Sequence, residues 1–196
     1  AHFAATLSPI ADLEVLPICA HYTRPFALPD WDVPPRRRIA YFSGSTIGNM
    51  GPEAAMQMLE QLGVIAGPDG GVLIGVDLHK DRTILEAAYD DSKGVTAAFE
   101  LILLARMNRE LGADFDLGAW SYEAWYDSER MRVEMYVKSE RAQRVRVGGQ
   151  RFHFQAGERV LTEISHKFTL HGFAELAKRA GLRVVQVWTD CKQLYS

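Results

Sequence analysis

The chain has 196 residues, 47% hydrophobic and 24% charged, the composition of a globular protein with room for one good core or two small ones. Its formal net charge of -3 leaves no basic footprint for nucleic acid, and no apolar segment reaches the roughly 18 residues that a membrane span needs. The two cysteines, Cys19 and Cys191, make no disulfide framework and fit a reducing compartment, so the cytoplasm is the expected location.

In chain order, Leu13 to Ala20 reads as a mostly apolar strand, interrupted by Pro17 and so placed near a sheet edge, with Cys19 buried in it. His21 and Tyr22 follow at its carboxyl end. Pro25 to Pro35 carries four prolines and Trp31 and is expected to be an irregular loop. The arginines Arg36 to Arg38 read as a solvated strand entrance.

Ile39 to Phe42 is a short buried strand that breaks into a polar, glycine-rich loop, Ser43 to Asn49. Pro52 and Glu53 then open an amphipathic helix with Ala55, Met58, Leu59 and Leu62 on one face and Gly63 as C-cap. A loop between a strand and a helix start is where open α/β sheets place ligands. The loop matches neither the pattern ending in Gly-Lys-Ser/Thr nor G-x-G-x-x-G, and turn and capping chemistry alone would also explain its glycines and serines. Gly51 is better placed than Asn49 to cap the helix, which leaves the Asn49 amide free for a ligand.

Val72 to Val76, ending in Asp77, is a second apolar strand, and strand, helix and strand make a parallel βαβ unit. Asp81 to Tyr89 is helical, Asp90 to Gly94 breaks the pattern, and Val95 to Leu111 is a long helix with Phe99, Ile102, Leu103 and Met107 inward and Gly112 closing it. Met131, Val133, Met135 and Val137 then alternate with polar residues, the mark of a half-buried antiparallel strand. Gln143 to Val147 and Gln150 to Phe154 flank the two-residue turn Gly148-Gly149, which sets Val145 opposite Phe152. Glu158 to Phe168 continues this module, with Glu163 and Ser165 on one face. Thr169 caps a helix with Phe173, Leu176, Ala177 and Ala180 inward, and Val184 to Trp188 reads as a third buried strand. The order implies an α/β fold whose discontinuous sheet domain, residues 1–80 and 168–196, is interrupted by an α+β insertion over residues 81–167.

Tyr89 reads either as a helix-end aromatic on the core or as a site residue. Glu163, a carboxylate in an apolar-alternating segment, needs a partner, which Lys167, Arg159 or a ligand N–H could supply. The six histidines show no paired ligand spacing, so no metal is expected.

The stretches FSGSTIGNM, AAYDDSKGVTAAFELILLARMNRELGADFD, LTEISHKF and VVQVWTD together resemble the histidine-specific, S-adenosylmethionine-dependent methyltransferases of ergothioneine biosynthesis, which convert L-histidine to hercynine. The resemblance covers nearly the whole chain and implies a Rossmann-like class I methyltransferase sheet, incomplete here, with a substrate-binding insertion. It further implies that Asn49 and Tyr89 hold the substrate carboxylate, that Gly44 lies near the amine, that Glu163 and Ser165, within a motif that includes Ile164, read the imidazole, and that Met135 lines the pocket. His21, Tyr22 and Ser45 are the implied cofactor contacts, S-adenosylmethionine the methyl donor, free L-histidine the partner and a monomer the working form. The family's glycine-rich cofactor loop and ribose-gripping acid would precede Ala1, so the sequence is expected to be a fragment, clipped also in its last strand, and its activity in isolation stays open. Two rival readings remain: a methyltransferase of another amino acid or amine, and a non-catalytic piece that keeps only the histidine-binding part.

Where the family carries an acid before an aromatic residue, this chain has His21-Tyr22. Neutral His21 accepts a hydrogen bond through one nitrogen and the protonated ring cannot. His21→Asp is therefore expected to raise cofactor affinity in a calorimetric titration, and an unchanged affinity would count against this role for His21.

Overall fold

A computed structural model describes residues 13–30 and 33–196; Trp31 lies outside them. Two short strands, β1 (Ile39–Phe42) and β2 (Gly71–Ile74), pair in parallel with Ile39 opposite Gly71 and Phe42 opposite Ile74. The connection between them is α1 (Pro52–Ala66), which opens with Pro52 at its first position and Glu53 in its first turn, both favourable at a helix N-terminus. Its buried stripe is Ala55, Met58, Leu59, Leu62 and Ala66, so the helix outruns the expected stop at Gly63 by one turn. Gly63 stays helical because Leu182 packs against it, within 3.2 Å of where a Cβ would stand, and Gly67, at φ 76°, ends the helix instead.

Beyond β2 the backbone is held by other partners. Gly75 N–H donates to Phe42 O, Val76 and Ser196 exchange N–H···O bonds of 2.7 and 3.0 Å, and His79 N–H donates to Phe168 O. The expected strand over Val72 to Val76 is thus shifted to Gly71–Ile74.

Two other expected strands are not formed. Leu13 to Ala20 and Val184 to Trp188 carry no ladder in the structure; Leu16, Ile18, Val185 and Trp188 are exposed, and Cys19 is exposed rather than buried. An apolar run becomes a strand only when neighbouring N–H and C=O groups accept its own. Among the described residues β1 and β2 pair only with each other, so neither run has a ladder to join. The segment after Ala20 is tied down by side-chain bonds instead, with Gln61 donating to the carbonyls of Tyr22 and Arg24.

The middle of the chain forms α2 (Arg82–Tyr89), α3 (Val95–Leu111) and the antiparallel strands β3 (Trp120–Asp127), β4 (Arg132–Ser139), β5 (Gln143–Val147), β6 (Gln150–Phe154) and β7 (Arg159–His166). The β3-β4-β7 sheet and the β5-β6 hairpin are separate. The hairpin has Val145 opposite Phe152 and both turn glycines at positive φ, as its sequence requires. β3 had no counterpart in the sequence reading, because Tyr122, Ala124 and Tyr126 alternate with Glu123 and Trp125 too weakly to declare a period.

α3 is rotated from its expected orientation. Phe99, Ile102 and Leu103 are exposed, whereas Glu100 and Leu104 are buried. Asn108 fixes the rotation: its amide donates to Phe115 O and its carbonyl accepts from Phe115 N–H, both at 2.8 Å. Leu104 consequently packs with Phe115, Trp120, Val137 and Val145.

The final helix, α4 (Leu170–Arg179), is capped by Thr169, whose hydroxyl accepts from Gly172 N–H. Phe173 joins Ile47, Ala55, Leu59, Val76 and Leu78 in the core beside the parallel pair. A second core, Leu85 with Tyr126, Val133 and Met135, seats α2 on the antiparallel sheet. Among the described residues no helix is long and apolar enough to cross a membrane.

Leu85 is 1% exposed and sits one helical turn before Tyr89. Leu85→Ala is expected to cost about 2–5 kcal/mol, the range for emptying a well-packed aliphatic site, measured as a fall in the urea midpoint at unchanged slope.

Candidate functional site

The backbone register of the antiparallel sheet decides which side chains can meet. Met135 stands opposite Glu163, and Val133 opposite Ser165, so one face of β4 and β7 presents these four together. A bulge interrupts the pairing between Met135 and Tyr136, where Thr162 is the extra residue, and the Thr162 hydroxyl donates to Met135 O at 3.0 Å. The bulge thus sits immediately before Glu163, where such irregularities re-aim a side chain.

The loop after β1 is pressed against this strand. Gly44 and Ser45 take positive φ of 71° and 55°, turning the chain into a single 3-10 turn, Thr46–Asn49. Ile47 is fully buried, and a Cβ on Gly48 would stand 2.9 Å from His166 O. Only glycine lets the two backbones approach so closely. The approach puts Asn49 on Glu163, the amide Nδ2 donating to Oε1 at 2.6 Å. α2 covers the same face from the other side: Glu86 accepts from Tyr126 N–H, and Tyr122 donates to Tyr89 O at 3.0 Å. Tyr89 OH then lies 2.8 Å from Ser165 Oγ.

These elements enclose a cavity of about 470 Å³, lined by Gly44, Ser45 and Asn49 from the loop, Asp77, Ala88 and Tyr89, Thr96, Phe99 and Glu100 of α3, Met135, Glu163, Ser165 and Tyr195. Seven residues singled out from the sequence therefore share one cavity: Gly44, Ser45, Asn49, Tyr89, Met135, Glu163 and Ser165. Three others do not line it. Ile164 points to the opposite face of β7, by the alternation of the strand. His21 and Tyr22 are exposed in the turn before Thr23, with the Tyr22 ring 6.2 Å from that of Phe42 on β1.

The partners foreseen for Glu163 are engaged elsewhere. Arg159 bonds Glu123 at 2.7 Å, and Lys167 bonds Asp77 at 2.8 Å. Glu163 meets Asn49, and a second carboxyl, Glu100, lines the same cavity. Burial first, and Glu100 next, push its carboxyl above the ordinary range. The Asn49 amide is not wholly free, since one of its two N–H groups is used on Glu163.

Lys167, expected from the sequence only as a partner for Glu163, holds a more central position. Its side chain is 0% exposed. Its ammonium reaches Asp77 Oδ2 at 2.8 Å, Tyr89 OH at 2.7 Å and Ser165 Oγ at 2.7 Å. Asp77 is held in turn by Lys80 at 2.5 Å, and its backbone N–H donates to Ser45 Oγ at 2.8 Å. Glu100 shares the buried face of α3 with Leu104, four residues on, and that face is not the apolar stripe expected from the sequence.

A family described as histidine-specific, S-adenosylmethionine-dependent methyltransferases matches residues 2–196. The chain is 46% identical over 157 residues to a histidine N-alpha-methyltransferase of Mycolicibacterium smegmatis, covering 79% of this chain and 49% of that one. It is 44% identical over 156 residues to the histidine N-alpha-methyltransferase of Mycobacterium tuberculosis, with the same coverage. An L-tryptophan methyltransferase, trpM, of Psilocybe serbica is 30% identical over 161 residues, 79% of this chain and 44% of that protein. The chain spans about half the length of the mycobacterial relatives. With the family model matched along all but its first residue, the chain belongs to the histidine-specific, S-adenosylmethionine-dependent methyltransferases.

Proposed function

We propose that this chain supplies the amino-acid site of an enzyme that transfers methyl groups from S-adenosylmethionine to the α-amine of L-histidine, yielding trimethylhistidine, hercynine, for ergothioneine biosynthesis. The observation that carries the reading is the meeting of Asn49, Tyr89, Glu163 and Ser165, brought from three distant parts of the sequence into one cavity. The names of the two mycobacterial relatives support it, as does an ergothioneine biosynthesis protein of Schizosaccharomyces pombe, 25% identical over 164 residues. In this reading residues 1–80 and 168–196 belong to the methyltransferase sheet and 81–167 to the substrate-binding part, and the protein works as a cytoplasmic monomer on a free amino acid.

The charged residues that line the cavity, Asp77, Glu100 and Glu163, are acidic, and the Lys167 ammonium stands behind Tyr89 and Ser165, paired with Asp77. Histidine fits with its side chain toward the glutamates and its carboxylate toward Tyr89 and the second N–H of Asn49. That orientation puts the amine near Gly44. Glu163 accepts an imidazole N–H, Ser165 serves the other nitrogen, and Met135 walls the ring. Fixing the amine against the reacting methyl group is the kind of positioning worth about 7–11 kcal/mol of barrier.

The residues fit one side of the methyl donor. Gly44 and Ser45, both at positive φ, carry the backbone close to the cavity at the carboxyl end of β1. The His21 and Tyr22 rings, stacked at 6.3 Å and 24°, offer an exposed aromatic surface on the far side of Phe42 to an adenine. When bound, S-adenosylmethionine supplies an electrophilic methyl group on its sulfonium.

Glu163→Ala combined with Ser165→Ala is expected to weaken histidine binding about 5- to 100-fold in calorimetry, the equivalent of the roughly 1–3 kcal/mol lost with a buried polar contact. Unchanged histidine affinity would remove these two residues from the reading. Asn49→Ala is expected to weaken histidine about tenfold while leaving histamine, which has no carboxylate, within about twofold; equal losses for both ligands would reassign Asn49 to the imidazole end.

A further inference from the structure

The hydrogen bonds around Lys167 restrict where hydroxyl protons can point. An ammonium has three protons and no lone pair, and Lys167 spends all three, on Asp77, Tyr89 and Ser165. Both hydroxyl oxygens are therefore acceptors from Lys167. They also face each other at 2.8 Å, so one of them donates to the other. One hydroxyl proton is left over, and it alone can point into the cavity.

Two arrangements follow. If Tyr89 donates to Ser165, the Ser165 proton faces the cavity and Tyr89 can only accept there. If Ser165 donates to Tyr89, the Tyr89 proton faces the cavity and Ser165 can only accept. A substrate carboxylate at Tyr89 selects the second arrangement, because a carboxylate has lone pairs and no proton to give. Ser165 then offers the imidazole a lone pair, and Glu163, on the same face of β7, offers another. A neutral imidazole has one N–H and one bare nitrogen; two acceptors suit a ring with two N–H groups.

We propose that the site takes histidine with its side chain as the imidazolium cation, read by Ser165 and the Glu100–Glu163 pair as acceptors, with Lys167 as the positioning residue that sets the direction of the hydroxyl protons. This rests on the histidine-binding reading given above and names the form of the ligand. The acidic lining supports it: Glu100 is 5% exposed and lines the cavity together with Glu163, and a cation placed between two carboxylates is favoured by both. The second ring proton is taken up from solvent on binding, so the ring gains one positive charge beside the two carboxylates. The other groups facing Glu163 are the neutral Asn49 amide and the Tyr122 phenol, which burial keeps protonated. Lys167 is paired with Asp77, and Asp77 also with Lys80. The site thereby favours amino acids whose side chain is a cation with two N–H donors over those with a neutral ring.

The test is nitrogen NMR of histidine labelled in both ring nitrogens, titrated with the protein at pH 8, where the free ring, with a pKa of about 6.5, is neutral. The direct variant, Lys167→Met, strips a buried partner from Asp77 and threatens the fold, so the hydroxyl is altered instead. Nearly equal shifts of the two bound nitrogens, the imidazolium signature, are expected for the wild type. In Tyr89→Phe the Ser165 proton is freed to face the ring, and two well-separated shifts, a neutral ring, are expected with about tenfold weaker binding. In Glu100→Gln the titration midpoint of the bound ring should fall by about one pH unit. A bound ring that is neutral in the wild type overturns the inference and leaves the histidine site standing. Cationic rings in both the wild type and Tyr89→Phe overturn the role given to Lys167, and the absence of any saturable shift overturns the inference and the histidine reading together.

Discussion

A buried ammonium must have each of its protons accepted, and Lys167 meets that demand by gathering groups that the chain keeps far apart. Asp77 follows the parallel pair, Tyr89 ends α2, and Ser165 belongs to β7. Burying a charge without such partners would cost several kcal/mol, so the three acceptors and the lysine come together or not at all. The parallel and antiparallel parts of the fold are joined at this point, and the cavity lies directly over the joint.

The second support of the site is steric. The 3-10 turn carrying Asn49 reaches Glu163 because Gly48 brings its backbone against that of His166. Between them, the lysine and the glycine fix both walls of the cavity, and neither has to touch a ligand to do so. The charged residues that face inward, Asp77, Glu100 and Glu163, are all acidic.

The local features of this architecture were legible in the sequence. The βαβ order, the Gly148-Gly149 hairpin, the Thr169 cap and the shared face of Glu163 and Ser165 all depend on neighbours within a few residues, or on the two-residue period of a strand. What failed depends on distant partners. Val184 to Trp188 has the composition of a strand and no ladder to join. The inner face of α3 is set by Asn108 bonding to Phe115 rather than by its most apolar stripe. Most of the cavity residues were found through motifs, whereas Glu100 and the central position of Lys167 required the fold. The sequence offers Lys167 only as a partner for Glu163, and its bonds to Asp77, Tyr89 and Ser165 follow from the way α2 closes over β7.

The tight crossing at Gly48 also bears on how this pocket can change through mutation. Because main chain meets main chain there, no compensating side-chain swap on β7 can make room for a larger residue, and the turn and the strand must vary as a single block. Thr96, Phe99 and Glu100 lie on a helix that borders the cavity without such a crossing. Drift toward a new ligand, natural or directed, has its open route through α3, where one exchange can alter the charge of the cavity while the joint beneath it stays intact.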